Sequence, residues 1–348
     1  MKNANKYLLL SVLALAVLLA GCGRGGPVPV STAAGVLSEV PSGGIISADQ
    51  LRSLVDNGDP ELVLIGVINP TAALVPFSTA ARPIEGSYLV WRGDYSGENN
   101  PGSIAPEISG FRNSQQDMED LLSRAGVTMD SRIVVYAADA MHDAARFVFQ
   151  LRMLGLENNV YYLDGGINAW IAAGHPTGRG TRLSGVAHQS DFRAPSYTPE
   201  RFDATMYQVV EALRNPDEWI VIDTRTQAEF EGRRTGSSSG AFGTGRIRGA
   251  VHIDWSEALD NNVIRPREEL ERIFEDVIAG RNVIVFCQSG VRSAHTQMVL
   301  TDVLGIENVL NYDGSWIEWS FAASSASGGR WPEILELTEE WSDNGRPI

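Results

Sequence analysis

Three blocks of this 348-residue chain occur twice, in the same order. Residues 47–67, "SADQLRSLVDNGDPELVLIGV", align without gaps with residues 205–225, "TMYQVVEALRNPDEWIVIDTR". Residues 133–155, "IVVYAADAMHDAARFVFQLRMLG", align with 283–305, "VIVFCQSGVRSAHTQMVLTDVLG", and 163–170, "LDGGINAW", with 312–319, "YDGSWIEW". A single helix–strand unit can look like another by chance, but three matched blocks in one order cannot easily do so. The chain is a duplication, and whatever fold one half adopts the other must adopt too.

The first block opens in each copy with Ser or Thr followed three residues on by Gln (Ser47 and Gln50, Thr205 and Gln208), a capping-box pattern. An amphipathic helix follows, then a turn with Asn and Asp, then a short apolar strand. Alternation of short strands and helices predicts an α/β fold, each half a mainly parallel sheet flanked by helices. The first half spans about 45–176 and the second about 199–345. Residues 177–198, "TGRGTRLSGVAHQSDFRAPSYT", lack periodicity and carry Gly, Pro and Ser, so they read as a linker.

The first 22 residues differ from the rest. Lys2 and Lys6 precede the apolar run "YLLLSVLALAVLLAGC", which is too short and wrongly flanked for a stable membrane span and reads as a secretory signal. Its ending, Leu19-Ala20-Gly21-Cys22, resembles the bacterial lipobox, which implies that residues 1–21 are removed and that Cys22 carries lipid (palmitate among the acyl chains). Two or more acyl chains would anchor the protein stably. Residues 22–44 are Gly/Pro/Ser-rich and read as a tether. Gly23 stands where an aspartate would favour the inner membrane, so the expected address is the outer membrane of a bacterial envelope, facing periplasm or surface, with a protein acceptor there conceivable.

Net charge narrows the partners. The full chain carries −15, and loss of Lys2 and Lys6 with the signal leaves −17. A field of that sign repels nucleic acid, so none is expected; an anionic substrate would need a local cationic pocket. With 43% apolar residues and eight tryptophans there is material for two cores.

If Cys22 carries lipid, the one remaining cysteine, Cys287, has no disulfide partner in the chain. It follows the strand "VIVF" and precedes a helix, and ligands bind at that end of a parallel sheet. Gln288, Ser289, Gly290, Val291 and Arg292 would wrap backbone N–H groups around its sulfur, and a nest of amides at a helix N-terminus, with an arginine beside it, stabilises a thiolate. The bland alternative is an ordinary buried cysteine at a strand end. Five scattered histidines and no Cys pair offer no metal-ligand cluster.

The motifs "VIDTRTQAEFEG" (221–232), "GRIRGAVHIDW" (245–255), "CQSGVRS" (287–293) and "YDGSWIEW" (312–319) together make the second half resemble the rhodanese, or thiosulfate sulfurtransferase, family. The whole chain resembles its tandem form, two rhodanese-like domains of which the first is inactive. The resemblance implies that Cys287 takes up sulfane sulfur as a persulfide and that residues 288–292 hold substrate and persulfide. It implies an anion-binding role for Arg225, with a salt bridge to Asp223 or Glu229 as the alternative, and loop support from Asp223 and Ser293. No cofactor and no metal are implied. In the first half Ala137 stands for Cys287, Val67 for Arg225 and Ile65 for Asp223, so no sulfur chemistry is expected there.

The implied reaction moves sulfur from a small anionic donor, thiosulfate, to cyanide or a thiol. Mercaptopyruvate users usually carry "CGSGV" followed by Thr, unlike Gln288 and Arg292 here; a 3-mercaptopyruvate sulfurtransferase stays the alternative, as does a surface-anchored non-enzymatic carrier of persulfide or of selenium or tellurium oxyanions. Protein phosphatases of a related fold place five residues between Cys and Arg; here four separate Cys287 from Arg292, and no general acid is evident. Arg246 and Arg248 could line the pocket mouth or be solvated, residues 233–245 could form a mobile flap, Trp316 and Trp319 read as core, and His295 reads as a surface residue.

Overall fold

The computed structural model describes residues 43–75, 78–97, 104, 108–235, 240–324 and 327–340, so the signal, Cys22 and the tether lie outside the described residues. The first half forms a six-stranded sheet from β1 (Gly44–Ile46), β2 (Leu62–Val67), β3 (Tyr88–Val90), β4 (Arg132–Ala137), β5 (Val160–Leu163) and β6 (Thr181–Arg182). The second forms a five-stranded sheet from β7 (Asp203–Ala204), β8 (Trp219–Asp223), β9 (Val251–His252), β10 (Asn282–Phe286) and β11 (Val309–Tyr312). Their orders, β1-β5-β4-β2-β3-β6 and β7-β11-β10-β8-β9, are the same arrangement of five equivalent strands, with β6 added in the first. All the pairings are parallel.

Local chemistry sets the matching elements. The helices α1 (Ala48–Asp56) and α5 (Met206–Arg214) both begin with the full reciprocal capping box, Ser47 with Gln50 and Thr205 with Gln208. Alternate strand residues enter opposite cores, because side chains of a strand point to alternate faces. Thus Val221, Ile284 and Phe286 pack on one side of the second sheet, and Ile220, Ile222, Val283 and Val285 on the other.

The halves dock along α3 (Met141–Met153) and α7 (Val291–Met298). Phe149 and Met153 of α3 meet Ala294 of α7 in one apolar cluster. Arg146, fully buried on α3, ion-pairs with Asp313 of the other half. The segment from 108 to 112 also crosses over: Ile108 and Phe111 pack on Phe321, the Arg112 N–H donates to Asp313 at 2.9 Å, and its guanidinium pairs with Asp203 at 2.9 Å. Such a seam holds side chains of the first half in fixed positions beside loops of the second.

The segment read as a linker is more structured than its composition suggested. Thr181–Arg182 extends the first sheet, pairing with Tyr88 and Leu89, and Leu183 and Phe192 enter the first core. Period-based reading misses it because a two-residue edge strand has no period to display.

Candidate active site

Strand order reverses direction between β8 and β10, and the crevice at that switch point is where a parallel α/β sheet binds ligands. Cys287 leaves β10 there, and Asp223 ends β8 beside it. Cys287 is 1% exposed. The loop curls through Gly290 at φ +71°, and a Cβ at that position would lie 2.8 Å from the Asp313 carbonyl oxygen, so only glycine fits.

A serine that the sequence reading did not single out holds this curl. The Ser315 Oγ accepts the N–H of Cys287 at 3.2 Å and of Gly290 at 2.9 Å, and donates to the Tyr312 carbonyl at 2.6 Å. Ser315 itself sits at φ +52°, a region costly for a residue with a Cβ. The matched residue in the first half is Gly166, at φ +54°. A side chain placed where its twin has none was the available signal. The Trp316 and Ile317 N–H groups donate to the carbonyls of Cys287 and Gln288 at 3.1 and 3.0 Å, and the Asn311 amide donates to that of Gly290 at 3.0 Å.

Burial by itself pushes the Cys287 thiol up. The charge of Arg292, the Ser293 hydroxyl and the N–H groups of Ser293 and Ser289 outweigh it and hold the thiol below its ordinary value. Ser293 is fully buried, and Gln288 and Val291 are buried in the loop wall. Arg292 is fixed by a two-pronged pair with Glu229, at 2.7 and 3.0 Å. Burial raises the Glu229 carboxyl, but the bond and charge of Arg292, with Thr226, bring it down to about 2. The sulfur therefore lies beside a cation that stays charged and immobile through the acid and neutral range.

Arg225 takes the role left as its alternative. Its guanidinium grips Asp223 through Nε at 3.0 Å and Nη2 at 2.6 Å, donates to the Gly245 carbonyl at 2.9 Å, and lies 4.5 Å over the Trp316 ring. With both residues buried, Arg225 braces the loops and Asp223 is its anchor. Arg246 pairs with Glu339 at 2.7 Å and covers the Phe230 ring, while Arg248 is 3.8 Å from Glu339 and exposed. Of the segment read as a flap, residues 236–239 lie outside the described residues; Phe242 and Gly243 are pinned by Ser320 and Trp316. Trp316 and Trp319 are core.

His295 corrects the expectation of a surface residue. The first half covers that face of α7, leaving the imidazole fully buried, 5.5 Å from the Trp255 ring and 6.1 Å from the Tyr162 ring. Burial drives its pKa down to about 3. His142 of α3 stands edge-on to the same Trp255 at 4.6 Å, and burial chiefly lowers it to about 4. Both imidazoles are neutral at ordinary pH. No group of three or more His, Cys, Asp or Glu among the described residues is placed to hold a metal ion.

Comparison with known proteins agrees with this architecture. The model of the rhodanese-like domain matches the chain twice, at residues 47–173 and 206–322. A thiosulfate sulfurtransferase of Corynebacterium glutamicum is 33% identical over 205 residues, covering 58% of this chain and 67% of that protein. The sulfur carrier protein TtuD of Thermus thermophilus is 27% identical over 224 residues, covering 59% and 74%. Among solved structures, the Tum1 protein of Saccharomyces cerevisiae superposes with a TM-score of 0.68 at 20% identity, covering 84% of this chain and 98% of that one. SseA of Escherichia coli, a 3-mercaptopyruvate sulfotransferase, gives 0.64 at 24% identity, covering 79% and 99%. At these identities the structural likeness speaks for the fold.

Proposed function

The chain belongs to the rhodanese-like domain family, and from that premise we propose that it is a sulfurtransferase using Cys287 as the sulfur-carrying nucleophile and thiosulfate as donor. The observation that carries this reading is the Cys287 loop: a lone thiol held below its ordinary pKa by Arg292 and by N–H groups of its own loop, at the switch point of a parallel sheet.

The chemistry takes two displacements. The Cys287 thiolate attacks the outer sulfur of thiosulfate; a new S–S bond forms, the old one breaks, and sulfite departs with the electron pair. An acceptor nucleophile, cyanide or a small thiol, then attacks the outer sulfur of the persulfide, and Cys287 leaves as thiolate. Sulfite is a good leaving group, so neither step needs a histidine base, which suits the neutral His142 and His295. The Arg292 charge, the Ser293 hydroxyl and the backbone N–H groups of Ser293 and Ser289 stabilise the negative sulfur in both states.

Steady-state turnover with thiosulfate and cyanide tests this, with 3-mercaptopyruvate run in parallel. Thiocyanate formation preferring thiosulfate supports the reading; preference for mercaptopyruvate reassigns the donor; a single sulfur loaded without turnover makes the protein a carrier. We propose also that Cys22 is lipidated and holds the protein on the envelope membrane. Among the described residues no helix is long and apolar enough to cross a membrane. Cys22→Ala should shift the protein from membrane to soluble fractions, and unchanged fractionation would remove the anchor from Cys22.

A further inference from the structure

We propose that Arg92, from the first half, is the cation that receives the anionic donor at Cys287, so that the half without a nucleophile selects the substrate. The proposal rests on the sulfurtransferase reading for the identity of the anion, and on the following geometry for the site.

The other arginines around the sulfur are buried and paired with carboxylates. Arg292 gives both terminal nitrogens to Glu229, Arg225 is closed on Asp223, and Arg146 is fully buried against Asp313. Arg92 differs. Its Nε donates to Asp143 at 2.7 Å and its Nη2 to the same carboxylate at 2.9 Å, while Nη1 has no hydrogen-bond partner among the described residues. The side chain is 48% exposed, whereas Asp143 beneath it is fully buried and also accepts the Tyr95 hydroxyl at 2.8 Å. One edge of the guanidinium is thus clamped and the other is presented, as bidentate or end-on recognition of an oxyanion requires.

Position places the guanidinium near the seam. Arg92 touches His142 at 3.5 Å, and His142 stands on Trp255 of the second half. Both Arg92 and Arg292 lower the pKa of His142, so the imidazole lies within reach of two cations. Asp143, which holds Arg92, lies about one turn of α3 before Arg146, whose Nη1 donates to the carbonyl of Gly290 in the Cys287 loop at 3.4 Å. A thiosulfate directing its outer sulfur to Cys287 can leave its sulfonate oxygens to Arg92. Arg92 also has no twin. Ile65 pairs with Tyr88, and its counterpart Asp223 pairs with His252, so Arg92 corresponds to Ser256, whose hydroxyl merely bonds Asp254.

Alkylation of Cys287 tests the site without relying on sulfur transfer. In the full-length protein, iodoacetate (anionic) and iodoacetamide (neutral) are compared on wild type, Arg92→Gln, Arg92→Lys and the double variant Arg92→Gln/Asp143→Asn, which leaves no buried carboxylate uncompensated. Expected is a fall of about five- to tenfold in the iodoacetate rate for both Gln variants, with the iodoacetamide rate nearly unchanged and partial rescue by Lys. The thiosulfate KM should rise with kcat nearly constant. Equal losses with both reagents would make Arg92 a structural brace, and no change with either would remove it from the site; each overturns the proposal. An intact iodoacetate preference in a wild-type protein that transfers no sulfur would instead refute the sulfurtransferase reading and keep the anion site.

Discussion

The two halves share a sheet order, a helix cap and a docking face, yet at the matched strand end one carries Cys287 and the other Ala137. The differences cluster at the switch point. Where the second half has Asp223 and Arg225, the first has Ile65 and Val67, both buried and apolar. Where the second has Gly290 at φ +71°, the first has Ala140 at φ −105°, so the loop after β4 does not make the same curl. At the remaining position the backbone is alike and the side chain is not: Gly166 and Ser315 share a left-handed φ, but Ser315 has a hydroxyl to hold the loop. The fold therefore supplies the place, while a few polar side chains turn it into a site.

If that is right, supplying a thiol to the first half should not awaken it. The variant Ala137→Cys/Cys287→Ser should show no thiocyanate formation above background, a loss of at least about a thousandfold relative to wild type. Activity within tenfold of wild type would mean that the loop differences do not matter. A sharper form removes the fixed cation. Arg292→Met leaves Glu229 buried and unpaired, and breaking such a pair costs about 3–5 kcal/mol; denaturant unfolding should show it. Glu229→Gln/Arg292→Met should recover most of that stability, yet the Cys287 alkylation midpoint should lie higher in pH than in wild type. The rise in the midpoint follows from loss of the Arg292 charge that lowers the thiol, whereas the pH dependence of the pair's stability follows from Glu229. Its folded pKa of about 2 is below the ordinary carboxylate value, so the stability from this pair is present above the unfolded pKa and is lost as pH falls towards 2.

Smaller effects separate bracing from binding. Arg225→Ala should lower stability by about 2–4 kcal/mol, since Asp223 is left buried, with the thiosulfate KM little changed in the fraction that folds. A large KM increase without loss of stability would restore Arg225 as the anion ligand. Smallest in stability is Ser315→Gly, which relieves strain of about 1 kcal/mol while removing three hydrogen bonds, so the two changes partly cancel. Its kcat should nonetheless fall about ten- to a hundredfold, because a slightly displaced sulfur loses alignment.

Much of this was legible in one sequence. The duplication predicted two equivalent sheets, the Ser–Gln and Thr–Gln spacings predicted two capping boxes, and "VIVFCQSGVRS" placed a cysteine at a strand end before a helix. What stayed hidden depends on the third dimension. His295 sits just over one turn along α7, and only the docking of α3 buries it. Arg92 lies 195 positions from Cys287 in a half without a nucleophile, and no local spacing ties them. Ser315 could be noticed only by asking why its twin is glycine, since a positive φ leaves no periodic trace. Arg225 was visible as a charge beside Asp223, but which way that charge is spent is a matter of burial.

If the proposed chemistry holds, Cys287 alone carries sulfur. Intact-protein mass spectrometry after thiosulfate treatment, followed by cyanide, tests it directly. One added sulfur is expected in the wild type, mapped to Cys287 and removed by cyanide, and none in Cys287→Ser with its circular dichroism unchanged. Sulfur retained in folded Cys287→Ser, or a wild type that gains none, would contradict it.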